Sequence, residues 1–372
     1  MNIEELYTNL ETVLIKNIAK KIGQNKRLYN QVEKSPEKVL DWQLDRLNKI
    51  DGLTEENIKI IARETKKTPE EIGRLFEEVL DELPDEKLIG RGIKANVLSP
   101  VAPIKESQTI KNALTVAKNS TRTTFNAVNN SLLASSRQVY IDTVNKVSTN
   151  VIGGVMTPIQ AMASAVREMS QEGLTAFTAS NGAKWSPEAY TGMVVRTNVK
   201  NTINDLQDIR IREAGGNYIE INSYVGARPL CSQDQGQIFS LNGDTTPITD
   251  INDNVIQVRA WSSSTNGEPA GILGINCGHQ KFMFVPELSS YDREPINKKE
   301  NDAEYEERQQ QRYLERQIRY AKREQIALES ARTNKEYIRK ANAKVRQKQK
   351  DMREFIDRTN KNRNYAREQV IE

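Results

Sequence analysis

Cys231, Cys277 and His279 are the residues best equipped for chemistry in this chain, which has two cysteines and one histidine. Two thiols and an imidazole are an acceptable ligand set for zinc, and Asp234 is the nearest carboxylate in sequence that could complete it. The spacing argues against such a site, because Cys-x-His is an unusual pair and no fourth ligand is evident. A nucleophilic thiol would need the imidazole within hydrogen-bonding reach, plus a third group to orient it. Residues at i and i+2 rarely offer that geometry. Asn276-Cys277-Gly278-His279 is therefore expected to be a tight turn in which Asn276, Gly278 and the His279 side chain bond to backbone, with no metal and no catalytic residue. Gly226-Ala227-Arg228-Pro229 and Gln235-Gly236-Gln237 form a second cluster. There the Arg228 guanidinium is expected to bridge carbonyls or a buried carboxylate such as Asp234. Arg196 is expected to sit in a structural ion pair.

Several elements must hold these residues in place. A helix is expected over 186–213, ended by Gly215-Gly216. Short strands are expected at 218–225, 237–241, 255–258 and 282–285, separated by Asn-Gly turns. Together they make a small α+β module over 184–295. Residues 1–90 read as an acidic set of short helices. Thr68-Pro69-Glu70-Glu71 looks like a capping box, followed by the apolar stripe Ile72, Leu75, Phe76 and Val79. The two helices around Lys66-Lys67 fit a small bundle better than a helix-turn-helix, since the second lacks a basic face. Residues 91–105 complete an aperiodic, proline-bearing stretch from 84 that reads as a linker or arm. Residues 106–183 are rich in Ser, Thr, Asn and Ala, so long helices with a thin apolar stripe are expected, broken at Gly153-Gly154 and Pro158. Over 296–372 a long charged helix and tail are expected, with Leu314, Ala321 and Leu328 seven apart and Ala331, Ile338, Val345 and Met352 repeating the interval in a shifted register. The fold class is thus α+β and predominantly helical.

Net charge alternates along the chain: −4 over 1–90, +5 over 91–180, −3 over 181–300 and +6 over 301–372. The basic blocks are where an acidic partner would sit. Arg312, Arg316, Arg319, Lys322, Arg323, Arg339, Lys340, Lys344 and Arg346 are the candidates for contact with DNA or a protein partner, and plain solvation is the alternative. No membrane span and no secretory signal are expected, and the low cysteine count fits a reducing compartment. A phosphate loop, a Gly-x-Gly-x-x-Gly, a Gly-x-Ser-x-Gly and a motif-spaced carboxylate pair are all missing. Nothing argues for an enzyme or a cofactor.

The order of these motifs resembles a known family. Arg196-Thr197-Asn198-Val199, then Gly226-Ala227-Arg228-Pro229, Gln235-Gly236-Gln237, Gly274-Ile275-Asn276-Cys277-Gly278-His279 and the 311–319 segment are similar to the minor capsid proteins of tailed bacteriophages. The resemblance is to the MuF-like group and its minor capsid protein 2 branch, across about 185–372 and with 1–90 outside it. Residues 353–357 and 364–368 also resemble that branch. The resemblance implies a non-enzymatic virion component in the head interior or at the portal vertex, made in the host cytoplasm. Its implied partners are the portal protein, a major capsid or scaffolding protein, and double-stranded DNA bound non-specifically. It would assist head assembly, DNA packaging or DNA delivery. Two alternatives stay open: a zinc- or thiol-dependent hydrolase or nuclease using Cys231, Cys277 and His279, and a host DNA-binding protein.

Overall fold

The computed structural model describes residues 3–24, 36–81, 83, 85–293 and 296–370. Parts of the readings for 1–90, 91–105 with its proline-bearing approach, 184–295 and the tail fall on other residues and lie outside the described ones. The chain divides into two units, one drawn from 1–68, 124–192 and 310–372 and the other from 69–123 and 193–309.

In the first unit, α1 (Ile3–Gly23) carries apolar residues three and four apart, and so buries Tyr7, Leu10, Leu14 and Ile18. It packs against α3 (Ile50–Glu64), which follows α2 (Pro36–Leu47). Polar side chains tie these helices to residues 124–152 of the long helix that runs from Gln108 to Ile152. Asn17 Nδ2 donates to Asn57 Oδ1 at 2.8 Å, Asn57 Nδ2 donates to Ser136 Oγ at 3.0 Å, and the Tyr7 hydroxyl donates to Asn129 Oδ1 at 2.7 Å. A helix rich in Asn and Ser thus adds amide contacts beside its buried apolar residues Phe125, Val128, Leu132, Tyr140, Val144 and Val147.

In the second unit, α4 (Thr68–Asp81) and α5 (Glu86–Lys94) precede that long helix, α6 (Gln108–Ile152). The capping box expected at Thr68 does not form. Among the described residues the buried Thr68 hydroxyl has no hydrogen-bond partner, and the Glu71 carboxylate pairs with Arg74 at 2.6 Å. A cap of the expected kind does form at α7 (Pro158–Glu172) in the first unit, where Thr157 Oγ1 accepts from Gln160 N and Gln160 Oε1 accepts from Thr157 N.

The stretch read as a linker is partly helix, because α5 turns Ile89 inward. Ile89 and Leu98 are buried with Ile211 of α8 (Pro187–Glu213) and with the sheet. That sheet runs β7 (Val258–Ala260), β4 (Ile238–Ser240), β3 (Tyr218–Ile221), β8 (Lys281–Phe284). β3 pairs antiparallel with β4 and β8, while β4 and β7 are parallel. Alternation puts Ile219, Ile221, Phe239 and Met283 in one cluster, and Tyr218, Ile238, Val258 and Phe284 in another, so both faces are covered. The hairpin of β1 (Phe177–Thr178) with β2 (Lys184–Trp185) in the first unit was not expected from sequence. In the second unit the strand expected at 255–258 begins as β6 (Val255–Ile256), paired with an unexpected β5 (Ile248–Thr249).

The C-terminal region is two helices rather than one, α9 (Lys298–Ser330) and α10 (Lys335–Thr359). Arg332 adopts φ 51°, and Asn334 caps α10 by accepting from Glu336 N at 3.0 Å. Leu314 and Ile318 of α9 pack with Met352 and Phe355 of α10, so the chain folds back on itself. The shift of register after Leu328 marks that turn.

Asp85, just before α5, carries a test of this packing. Its Oδ2 accepts from Met283 N at 2.7 Å and Gln207 Nε2 at 3.2 Å. Burial nevertheless raises its pKa to about 6, above an unfolded value near 4. The folded state therefore prefers the protonated acid. The stability Asp85 contributes is fully present below the unfolded pKa and is lost as pH rises through about 6. Between pH 4 and pH 7 the wild-type chain should lose up to about 3 kcal/mol more than Asp85→Asn. Urea midpoints of both proteins at the two pH values check this, and parallel profiles would refute it.

Candidate functional site

The candidate residues come together in the second unit through the pairing of β3 with β8. Beyond the strand ends the pairing continues, with Asn222 N donating to Gln280 O at 3.1 Å and Gln280 N to Asn222 Oδ1 at 2.8 Å. Two loops, 222–237 and 261–280, are thereby held side by side. The first is anchored by Asn301, whose Oδ1 accepts from Gly226 N (3.0 Å) and Ala227 N (2.8 Å) and whose Nδ2 donates to Ala227 O (2.8 Å). Gly226 has φ +90°, and a Cβ there would lie 2.8 Å from Glu304 Cγ, so a side chain is excluded. Gly236 N donates to Ile221 O at 2.8 Å, and Pro229 O accepts from Ser232 Oγ at 2.8 Å, closing the turn that carries Cys231.

Cys231 Sγ lies 3.7 Å from Cys277 Sγ, and Cys277 Sγ lies 3.3 Å from His279 Nδ1. The i and i+2 spacing expected to keep thiol and imidazole apart brings them into contact. Asn276 in the left-handed region (φ 56°) and the turn bond from Cys277 N to Gly274 O fold the segment sharply enough. The expectation that His279 bonds to backbone is also corrected, because its other nitrogen, Nε2, stands 3.1 Å from Gln235 Oε1. Tyr224 N donates to that same Gln235 oxygen at 3.1 Å. A backbone N–H can only donate, so the amide oxygen is the atom facing His279, and Nε2 must carry the proton. Nδ1 is then left with a lone pair directed at the sulfurs. The Tyr224 ring stacks on the imidazole at 4.4 Å. Gly278 leaves room for that ring, since a Cβ there would stand 2.8 Å from the Tyr224 hydroxyl.

The electrostatics separate the two thiols. The hydrogen bond from Cys231 holds Cys277 well below the usual thiol range. That shared hydrogen bond and burial push Cys231 up. Leu273 N donates to Cys277 Sγ at 3.2 Å, and Arg228 Nη2 lies 3.6 Å from Cys231 Sγ. Arg228 also donates to Ile275 O (2.8 Å) and Gly271 O (3.3 Å), bridging carbonyls as expected.

Asp234 does not join the group. Its carboxylate accepts from Thr265 N and Oγ1 at 2.8 and 2.6 Å and from Arg259 Nη1 at 3.1 Å, and it is fully buried. Arg196 makes a hydrogen bond to Asn276 Oδ1 at 3.2 Å. Sequence reading missed Asn301, Tyr224 and the role of Gln235 toward His279. Only the position of Gln235 beside Gly236 offered any signal.

The C-terminal cations divide by burial. Arg312, Arg339, Lys340 and Arg346 are exposed, while Arg316, Lys322 and Lys344 are half-buried. Lys344 pairs with Glu324, and Lys322 donates to Glu368 O. Arg319 and Arg323 are buried, which removes them as contacts for DNA or a partner. Arg319 bonds Glu188 and the Arg367 carbonyl, and Arg323 pairs with Glu11 at 2.7 Å. Among the described residues no helix is long and apolar enough to cross a membrane.

A family model described as phage minor capsid protein 2 matches residues 1–357. The match takes in residues 1–90, which the sequence resemblance had left out, and stops short of 364–368. A structural protein of Lactococcus phage LL-H is 26% identical over 331 residues, covering 86% of each chain. A structural protein of Lactococcus phage mv4 is 33% identical over 106 residues, covering 28% of this chain and 85% of that protein. No solved structure matches.

Proposed function

Because the chain belongs to the phage minor capsid protein 2 family, we propose that it is a non-enzymatic virion component that sits at the portal or procapsid. There it assists head assembly, DNA packaging or DNA delivery. The observation that carries this reading is the family match across nearly the whole chain, joined to the scarcity of catalytic equipment. The Cys277–His279 contact is the one feature that favours a thiol- or zinc-dependent hydrolase or nuclease. An enzyme needs its reacting atoms within reach of substrate, yet Cys277 is 7% exposed and His279 not at all. The arrangement suits holding two loops together better than turning over a substrate.

Portal protein encoded in the same phage genome should co-purify with the tagged chain at low and moderate salt. Its loss at both would remove the portal from the proposal. On this reading the exposed Arg312, Arg339, Lys340 and Arg346 are the candidates for contact with packaged DNA, with Lys340 also paired to Glu336. Retention of duplex DNA through them should fall steeply with salt and show no sequence preference. Sequence-selective or salt-insensitive retention would exclude that role.

A further inference from the structure

We propose that Cys231, Cys277 and His279 form a structural zinc site that clamps the 222–237 loop to the 261–280 loop. The site is independent of the portal reading, because it concerns how the second unit holds its own loops.

The geometry is the first argument. Zinc bound tetrahedrally, with bonds of about 2.3 Å to sulfur and about 2.0 Å to nitrogen, sets its ligands about 3.8 Å apart for two sulfurs and about 3.5 Å for sulfur and nitrogen. The observed separations are 3.7 Å between Cys231 Sγ and Cys277 Sγ and 3.3 Å between Cys277 Sγ and His279 Nδ1. All three donor atoms lie within 4.8 Å of one another. The sulfurs thus stand apart by a tetrahedral edge while belonging to different loops.

Preparation of the ligands is the second. Gln235 fixes the proton on His279 Nε2, and Tyr224 N fixes Gln235, so the lone pair of Nδ1 is aimed before any ion arrives. Metal-bound histidines are oriented by this kind of bond from the far nitrogen. Leu273 N donates to Cys277 Sγ and Arg228 Nη2 lies 3.6 Å from Cys231 Sγ, so each sulfur is held in place by a neighbouring donor.

The donor set then selects the ion. Two thiolates and an imidazole in a tetrahedral arrangement suit zinc and disfavour magnesium or calcium, which take oxygen ligands. The fourth position would fall to water or to a backbone carbonyl. Gly271 O, 3.4 Å from Cys231 Sγ, is one at hand. Asp234 is committed to Thr265 and Arg259. Burial of all three ligands makes the ion a clamp with no substrate face.

The full chain, produced without a polyhistidine tag and purified under reducing conditions, tests the proposal. Metal analysis should find about one zinc per chain. Replacement by cobalt(II) should give a tetrahedral spectrum with intense sulfur-to-cobalt charge-transfer absorption. Cys231→Ser and Cys277→Ser should each abolish stoichiometric binding. Gln235→Ala keeps every ligand and should weaken zinc binding about 10–100-fold. The cobalt spectrum of the wild-type chain stands even where a cysteine variant fails to fold. A folded, reduced chain showing no thiolate-to-cobalt absorption with cobalt in excess would overturn the site. So would a Cys231–Cys277 disulfide found in the reduced preparation, or full zinc stoichiometry retained in both folded serine variants.

Discussion

Replacing Arg323 with Met should lower the unfolding free energy by about 3–5 kcal/mol, because it leaves the Glu11 carboxylate buried without its counter-charge. Glu11 is 3% exposed and Arg323 4%, and they pair at 2.7 Å. Burial already pushes the Glu11 pKa up, with Arg323 opposing it. Glu11 Oε1 also accepts from Leu174 N at 2.8 Å, and Arg323 Nε donates to Ser170 O at 2.6 Å, so the pair closes off backbone groups around the end of α7. The double variant Glu11→Gln/Arg323→Met removes both charges while the amide keeps an acceptor for Leu174. It should recover at least half of the loss in urea denaturation. A single-variant cost under about 0.5 kcal/mol would contradict a buried, mutually dependent pair. Duplex DNA retention, if it comes from the exposed cations, should not change in Arg323→Met.

Asn301→Ala should cost about 3 kcal/mol or more, since two buried N–H groups and one carbonyl lose their partner together. The consequence extends to the cluster, because Gly226 and Ala227 lead directly into Arg228 and the turn that carries Cys231. Hydrogen exchange at the Gly226 and Ala227 amides should accelerate ahead of the rest of the unit. Asn301→Asp separates the contributions. Its carboxylate can still accept from both N–H groups but cannot donate to Ala227 O, so an intermediate loss is expected. A cost below about 1 kcal/mol for the alanine variant would show that the loop does not depend on this anchor.

The success and failure of the sequence reading follow the range of the interactions involved. Helix ends set by local chemistry are legible: Gly153-Gly154 and Pro158 break the chain, and the helix before Gly215 stops where expected. The alternation at Ile219 and Ile221 identifies β3 for the same reason. Thr68 shows the limit, because a cap motif guarantees only the residue types and not the side-chain rotamer that closes the bond. The segment over 86–94 carries a helical spacing in Leu88, Ile89 and Ile93, but it is short and lies among glycines and prolines that read as a linker.

By itself, the sequence determined the family, the predominantly helical α+β class, the alternating charge and the small set of residues able to bind a soft metal. Only the tertiary structure decided which of them meet. β3–β8 pairing sets Cys231 against Cys277 across two loops, Gln235 orients His279, and Thr265 with Arg259 takes Asp234 away. Arg319 and Arg323 look identical to their exposed neighbours in a charged helix until Glu188 and Glu11 arrive from distant segments. Residue type and local spacing are written in the chain, whereas burial and partner identity depend on contacts between residues far apart along it.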